Sequence, residues 1–217
     1  MKRMLNKELR LATPLLTYLF LAFSLMTLIP GYPILCGAFF VCFGIFQAFQ
    51  YGREANDILY TVLLPIGKGS AVKAKYLVVC FFELTAFLLM AVLTCVRMLL
   101  LSHTAVYAQN VLMAANPLFL AFVLLIFTAF NLVFLRGFFQ TAYGIGKPFL
   151  LFVIAAFVLI GLGETLHHLP GLAFLNTSAG EGLKWQLLIL LAAAVLYGAV
   201  TALSYSSSRE AFEKLDL

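Results

Sequence analysis

Three polar side chains lie at similar depth in apolar segments that are long enough to be membrane spans. Glu83 is about seven residues into its segment, and Gln47 and Asn131 are each about four residues from an end of theirs. At 1.5 Å per helical residue, these positions lie roughly 6 to 10 Å from one membrane surface. An ionisable group at that depth is costly and suggests function. We therefore predict a polar layer that lines a vestibule or a helix contact that breaks on opening; purely structural interhelical hydrogen bonds are the alternative.

A second polar group occurs in the sequence GETLHHLPG. Glu164 and His167 are three positions apart, so one helix face can present both to a metal ion. His168 points elsewhere, and the H-E-x-x-H pattern of zinc proteases is absent from the sequence. No Ser-His-Asp or Cys-His arrangement is visible either. We predict an exposed helix end here, with no metal site and no catalytic residues, which makes an intramembrane enzyme the weakest functional alternative.

The composition shows whether these residues lie in a soluble protein or in a membrane protein. Of 217 residues, 64% are hydrophobic, 11% are charged and 22 are Phe. A soluble domain is about half apolar and a quarter charged, and one of this size has too little interior to hide so much apolar surface. The composition excludes a soluble enzyme, a disordered chain and a nucleic-acid-binding domain. It indicates an integral membrane protein with little mass in water.

The apolar segments predict an all-α integral membrane fold with six transmembrane helices in a single domain, 1–217. A basic tail, MKRMLNKELR, precedes the first of them. Met1, Leu5 and Leu9 recur in this tail at helical spacing, which suits an amphipathic helix in the membrane interface; a frayed tail that only sets topology is the equal alternative. The predicted spans are 11–29, 34–51, 76–101, 117–135, 148–166 and 185–204.

The positions of the basic residues predict the orientation. Twelve of the 14 Lys and Arg residues lie in the two tails and in the second and fourth loops, which are all on one side of a six-span chain. Cytoplasmic segments of membrane proteins collect Lys and Arg. We therefore expect a multi-pass protein of the cell membrane with both termini in the cytoplasm.

The longest loop, 52–75, contains a predicted short helix. Asn56 or Asp57 can cap its start, because a side-chain oxygen there accepts an orphan backbone N–H. Pro65 ends it, and Gly67 and Gly69 follow as a flexible turn. A single apolar stripe is formed by Ile58, Leu59, Val62 and Leu63. Such a helix either floats in the membrane interface or docks into a groove on a partner protein.

The same loop resembles a known family. The sequence Glu54-x-x-Asp57-Ile58-Leu59, followed by Leu63-Leu64-Pro65 and Lys68 and then by Val72-x-Ala74-Lys75-Tyr76, is similar to ABC transporter permeases of the type-2 exporter class. The resemblance implies a basic N-terminal helix, six spans and a bacterial cell membrane. It also implies that the loop forms the coupling helix, which contacts the nucleotide-binding subunit. The contact residues it implies are Glu54, Asp57, Ile58, Leu59, Leu63, Pro65 and Lys68.

A missing motif bears on the partners. The sequence has no G-x-x-x-x-G-K-[ST] phosphate loop, and Gly144–Phe149 contains only a Gly-Lys beside an apolar segment. If the resemblance holds, a separate ATPase subunit binds ATP and Mg²⁺, and this chain is not itself an enzyme. Six spans then make half a transporter that needs a second copy or a paralogous permease, with membrane lipid around it and no nucleic acid.

The expected cargo is amphipathic or hydrophobic, such as a peptide, a lipid or a drug, because the spans are rich in Phe and Leu. A six-span substrate-binding subunit of a micronutrient importer is the alternative function. Those subunits are similar in size but lack a long amphipathic loop between spans two and three.

Overall fold

A computed structural model describes residues 2–63, 67–101, 104–108, 111–141, 144–177 and 181–214. Within these ranges the chain is helical and contains no strand. The α-helices are α1 (Lys2–Lys7), α2 (Leu15–Phe20), α3 (Cys36–Glu54), α4 (Asp57–Leu63), α5 (Lys68–Val96), α6 (Ala105–Ala108), α7 (Pro117–Ala129), α8 (Arg136–Gln140), α9 (Gly146–Leu166) and α10 (Glu181–Glu213).

Several of the α-helices are continued by π-helical or 3₁₀-helical segments. Three of them contain or lead into π-helical turns, which are Glu8–Ala12 after α1, Arg97–Leu101 after α5 and Phe130–Leu135 between α7 and α8. The chain after α2 tightens into a 3₁₀-helix, Leu21–Leu28, and a short 3₁₀ turn, Ala173–Asn176, lies between α9 and α10. Each π-helical segment holds one buried polar residue, Glu8, Arg97 or Asn131, and such turns often occur at functional sites.

Four helical stretches in the described ranges are long and apolar enough to cross a membrane, namely Lys68–Leu101, Pro117–Gln140, Gly146–Leu166 and Gly182–Glu213. A fifth exists if the bent pair Met4–Ala12 and Leu15–Leu28 counts as one span. The chain is therefore a helical multi-pass membrane protein. The segment predicted as the second span, 34–51, forms α3, but Gln47, Gln50 and Arg53 make its second half too polar for it to join this group.

The predicted first span, 11–29, is wrong as a single helix. The chain bends by 88° between Met4–Ala12 and Leu15–Leu28. Pro14 causes the break, because proline has no backbone N–H and disfavours the helical conformation of the preceding residue. Thr13 accordingly has an extended backbone, and its hydroxyl donates to the Glu8 carbonyl oxygen at 2.8 Å. The N-terminal helix thus lies across the start of α2.

Two other predicted boundaries differ from the structure. The predicted second and third spans are parts of longer helices, because α3 continues to Glu54 and α5 begins at Lys68. The last helix extends to Glu213, so most of the polar tail expected after residue 204 is part of α10. Both extensions place polar helical turns outside the apolar stretches.

Helix α7 occupies the centre of the bundle. The most apolar stretch of α7 is 78% buried inside the protein, whereas the most apolar stretch of α10 is 11% buried. Phe side chains fill the space around α7; Phe134 in the following π-helical turn contacts rings from α3 and α9, whose own Phe46 and Phe149 stack with centroids 3.7 Å apart. Helices α9 and α10 expose large apolar side chains on the outside, including Leu150, Ile154, Phe157, Leu188, Leu191 and Val195.

Candidate functional site

Four charged side chains form a closed cluster where the N-terminal helix, α4 and α5 meet. The Lys75 ammonium lies 2.8 Å from Glu8 Oε2 and 3.0 Å from Asp57 Oδ2. Lys7 binds Asp57 Oδ1 and lies 3.4 Å from Glu8 Oε1. We call these residues the four-charge cluster. Because each carboxylate contacts both ammonium groups, the cluster ties three helices together.

The local sequence explains why α4 reaches this position. The chain reverses after α3 through Ala55 and Asn56, and Asn56 adopts a φ of +52°, the left-handed region that Asn tolerates better than most residues. This turn places Asp57 in the first turn of α4, facing α5. One turn later, the Thr61 hydroxyl contacts Lys7 and donates to the Asp57 carbonyl oxygen at 2.6 Å. The face of α4 that bears Asp57 and Thr61 is therefore held by the rest of the chain.

The electrostatics of the cluster favour its charged form. Burial alone would raise the pKa of Asp57, but the ammonium groups of Lys75 and Lys7 outweigh burial, so its pKa lies below its usual value. Glu8 is buried, and the Lys75 side chain is only 11% exposed. Burying charges costs free energy unless good geometry and hydrogen bonds compensate. Here alternating charges supply that compensation.

A second side of α4, next to the one that bears Asp57 and Thr61, is open. Tyr60 is 67% exposed and Leu63 is 81% exposed, and Glu54 at the end of α3 is also exposed. Lys68, another predicted contact residue, begins α5. The side chains of Ile58 and Leu59 and the whole of Pro65 lie outside the described residues. Of the residues predicted to contact a partner, the structure thus turns Asp57 inward, whereas Glu54 and Leu63 are accessible.

Glu83 is the centre of a second polar group, deep between α5, α7 and α10. It is fully buried, and its Oε2 accepts hydrogen bonds from Asn131 Nδ2 at 2.9 Å and from the Tyr197 hydroxyl at 2.8 Å. Asn131 Nδ2 also donates to Thr201 Oγ1 at 3.1 Å. Two of the three residues predicted to form a polar layer, Glu83 and Asn131, therefore touch each other.

The polar group continues along α10 toward its C-terminal end. The Ser204 hydroxyl donates to the Asn131 carbonyl oxygen at 2.6 Å, and the Tyr76 hydroxyl lies 2.8 Å from both Ser204 Oγ and Ser208 Oγ. The residues that α10 contributes, Tyr197, Thr201, Ser204 and Ser208, recur at a spacing that puts them on one helix face. We call the connected set formed by Tyr76, Glu83, Asn131, Tyr197, Thr201, Ser204 and Ser208 the Glu83 network.

Gln47, the third residue of the predicted layer, is not part of the Glu83 network. It is half-buried on α3, and no hydrogen bond joins its side chain to another described residue. Counting residues along each helix gives the depth of a side chain in the membrane, and it put all three residues at a similar depth. It does not give the direction in which a side chain points, and the Gln47 side chain makes no hydrogen bond with the other two. The structure therefore brings Glu83 and Asn131 together and leaves Gln47 apart.

The opposite end of the bundle is closed by other polar contacts. Buried Arg97 donates to the Thr27 carbonyl oxygen at 2.8 Å and lies over the Tyr107 ring, 4.6 Å from its centroid. Glu164 accepts from the Met113 N–H at 2.9 Å, and His167 Nε2 lies 3.1 Å from the Val111 carbonyl oxygen. In the described ranges no group of three or more metal-binding side chains occurs. Glu164 and His167 thus fasten the chain around residues 111–113.

Comparison with known proteins identifies the family. The family model described as ABC-2 family transporter protein matches residues 3–213, nearly the whole chain. No curated protein and no solved structure matches it. The matched range includes the four-charge cluster, the Glu83 network and all the apolar helices. The chain therefore belongs to the ABC-2 transporter family and is a membrane permease of an ABC transporter.

Proposed function

We propose that this chain is the membrane-spanning half of an ATP-driven exporter, with six spans and both termini in the cytoplasm. The proposed spans are α2, α3, α5, α7 with α8, α9 and α10. A length argument supports α2 as a span despite its few residues. The 3₁₀ winding of Leu21–Leu28 rises about 2.0 Å per residue, so 15–28 reaches about 25 Å, close to the hydrocarbon thickness of about 30 Å.

Helix α1 and its π-helical turn then lie in the cytoplasmic membrane interface. The 88° bend at Pro14 supports this position, since it turns the basic N-terminal helix across the direction of α2. Lys and Arg at that interface interact favourably with anionic headgroups. A bacterial cell membrane is the proposed location.

The observation that best supports the coupling role is the two-sided environment of α4. One face is bound to the N-terminal helix and α5 through Asp57 and Thr61, and the other exposes Tyr60 and Leu63. An exposed apolar face on a short helix suits docking into a groove of a partner. We propose that this face, with Glu54 and Lys68 at its edges, contacts a separate nucleotide-binding ATPase subunit that binds ATP and Mg²⁺.

In this proposal the four-charge cluster transmits movement. A displacement of α4 by the ATPase pulls on Lys75 through Asp57, and Lys75 is part of the same helix as Glu83. It also pulls on Lys7 and therefore on the N-terminal helix. Because α5 continues as one rigid helix to Val96, a shift at its start moves the α5 face that contacts α7 and α10.

The permease is proposed to act with a second copy of itself or with a paralogous permease. Its proposed substrate is amphipathic or hydrophobic, such as a peptide, a lipid or a drug, moving between the two halves. The exposed apolar surfaces of α9 and α10 are compatible with lipid or with such a partner. The family match favours a permease over a substrate-binding importer subunit or an intramembrane enzyme.

The docking proposal is tested by co-purification with the nucleotide-binding ATPase subunit of the transporter. Leu63→Asp places a charge on the exposed face of α4, and we expect it to abolish co-purification. Val106→Asp is the matched control, because Val106 on α6 is 63% exposed, is apolar and lies at the other end of the bundle. Retained ATPase binding by Leu63→Asp would contradict the coupling role of α4.

A further inference from the structure

Glu83 lies in the interior without a compensating cation. It is eight residues beyond Lys75 on α5, which is about 12 Å farther along the helix. The ion pairs of the described residues do not include it. The titratable groups that face it are Tyr197 from α10, Cys80 on α5 itself and Cys42 from α3. The π-helical turn after α7 contributes the amide of Asn131. None of these groups is a cation.

The hydrogen bonds around Glu83 are short of one donor. Its Oε2 accepts two hydrogen bonds, but its Oε1 and the Asn131 Oδ1 are both buried without a partner in the described chain. Unpaired buried acceptors are costly. A carboxylate has only acceptor atoms, whereas a carboxylic acid adds one O–H donor. A single proton on Glu83 would therefore do two things at once. It would neutralise the uncompensated charge, and it would provide the hydrogen-bond donor that the buried acceptors lack.

Helix α10 supplies the groups that would leave Glu83 if the bundle opened. Tyr197 donates directly to Glu83, and Thr201 accepts from the same Asn131 amide. Beyond them, the hydroxyls of Ser204, Tyr76 and Ser208 form a chain toward Arg209 and Glu213, which are exposed. Hydroxyl groups both donate and accept hydrogen bonds, so this face of α10 is a polar path between Glu83 and the end of the helix.

From this geometry we propose that Glu83 is a proton-binding site: it holds a proton while α10 packs against α5 and α7, and releases it when α10 separates. On separation the O–H bond breaks, the proton passes to water that enters along the hydroxyl face of α10, and Glu83 becomes a hydrated carboxylate. On closing, the same route returns a proton from water. Opening of the permease is thereby coupled to the release of one proton per chain.

The proposal is independent of the docking role of α4, since it concerns only contacts inside the bundle. Infrared spectroscopy of the purified full chain in lipid tests it at neutral pH. We expect a carbonyl band of a buried carboxylic acid that disappears in Glu83→Gln. The band remains in the matched control Glu213→Gln, whose target carboxylate is exposed and paired with Arg209. An identical carboxylic acid band in the wild type and in Glu83→Gln would overturn the proposal.

One further measurement does not depend on the folding of Glu83→Gln, and another extends the comparison with it to pH. Tyr197→Phe removes one hydrogen bond to the carboxyl group, so we expect the acid band of Glu83 to shift in frequency without being lost. An unshifted band would overturn the proposal. In addition, the packed state binds the proton, so its thermal stability falls as the pH rises. Glu83→Gln should lack this pH dependence, and parallel pH profiles of the two proteins would contradict the site.

The outcomes separate this inference from the docking proposal. Glu83→Gln is expected to keep its ATPase subunit, and Leu63→Asp is expected to keep the acid band. Loss of the band in Glu83→Gln alongside retained ATPase binding by Leu63→Asp supports the proton site and contradicts docking. The reverse pair of results supports docking and overturns the proton site.

Discussion

The Lys75 ammonium on α5 lies 3.0 Å from the Asp57 carboxylate on α4, and this ion pair joins the short helix to the longest apolar stretch of the chain. Both side chains are 11% exposed, so water screens the pair little. Glu8 and Lys7 complete the cluster from the N-terminal helix. The position of α4 is therefore determined by charge pairing, whereas the helices of the core are held by Phe packing.

Asp57→Asn should release α4. The substitution leaves two ammonium groups facing Glu8 alone, and breaking a buried ion pair costs about 3 to 5 kcal/mol. We expect faster amide hydrogen exchange across 57–63 with little change in α7. A double-mutant cycle with Lys75→Gln should give a coupling free energy of at least about 1 kcal/mol.

The exposed ion pair on α10 provides the control. Arg209 and Glu213 are 53% and 45% exposed, and water screens such exposed pairs so that they contribute little to stability. Arg209→Gln should leave exchange in α4 unchanged. Equal protection of α4 in Asp57→Asn and Arg209→Gln would mean that another interaction holds the helix.

Gly44→Ala should destabilise the contact between α2 and α3. A Cβ atom at Gly44 would lie 2.3 Å from the Phe20 Cβ, and the Thr17 hydroxyl donates to the Gly44 carbonyl oxygen at 2.9 Å. Neither backbone can move away without losing this hydrogen bond, so we expect a loss of about 1 to 3 kcal/mol. Thermal unfolding in detergent or lipid measures it.

Gly161→Ala on α9 is the matched substitution, because a Cβ atom there meets open space. Alanine is the better helix former by up to about 1 kcal/mol, so this variant should be neutral or more stable. If both glycine variants had the same melting temperature as the wild type, the close approach of α2 and α3 would be contradicted.

Arg97→Lys should weaken the end of the bundle opposite the four-charge cluster. The planar guanidinium both donates to the Thr27 carbonyl oxygen and lies over the Tyr107 ring. A lysine ammonium does not reproduce this combination, and we expect a loss of about 1 to 2 kcal/mol in thermal unfolding, as a cation–π contact contributes about 0.5 to 2 kcal/mol.

Tyr107→Phe separates the contacts of Arg97 from the hydrogen bond that Tyr107 itself makes. It keeps the ring beneath Arg97 but removes the hydrogen bond from the Tyr107 hydroxyl to the Leu28 carbonyl oxygen, 2.7 Å away. A wild-type melting temperature for Arg97→Lys together with a lowered one for Tyr107→Phe would show that Arg97 does not hold this end.

Sequence patterns predicted four of the six expected spans where the structure has long apolar helical stretches, because hydropathy over about 20 residues reflects a single cause, the thickness of the bilayer. They predicted the first helix badly. Pro14 lies only three residues into an otherwise uninterrupted apolar run, and hydropathy does not register its missing N–H. The third span was bounded at residue 76, eight residues after the start of α5, because the first turns of that helix are polar and hydropathy does not register them.

The candidate sites were predicted in part. Counting residues placed Glu83 and Asn131 at one depth, but their partners on α10 were overlooked even though Tyr197, Thr201 and Ser204 recur at helical spacing. The four-charge cluster had no such signal. Glu8 and Lys75 are 67 positions apart, and their pairing depends on the bend at Pro14 and the turn at Asn56.

The central position of α7 has a consequence for how the chain is made. α7 is the most apolar of the four long stretches, yet in the finished bundle it faces mostly protein. Helices α9 and α10, which cover it, are synthesised later because chains grow from the N-terminus. During that interval α7 must be stable in lipid by itself, with Asn131 still lacking the hydroxyls of α10. The hydropathy of α7 therefore serves membrane insertion, and its Phe side chains serve the packing that replaces lipid afterwards.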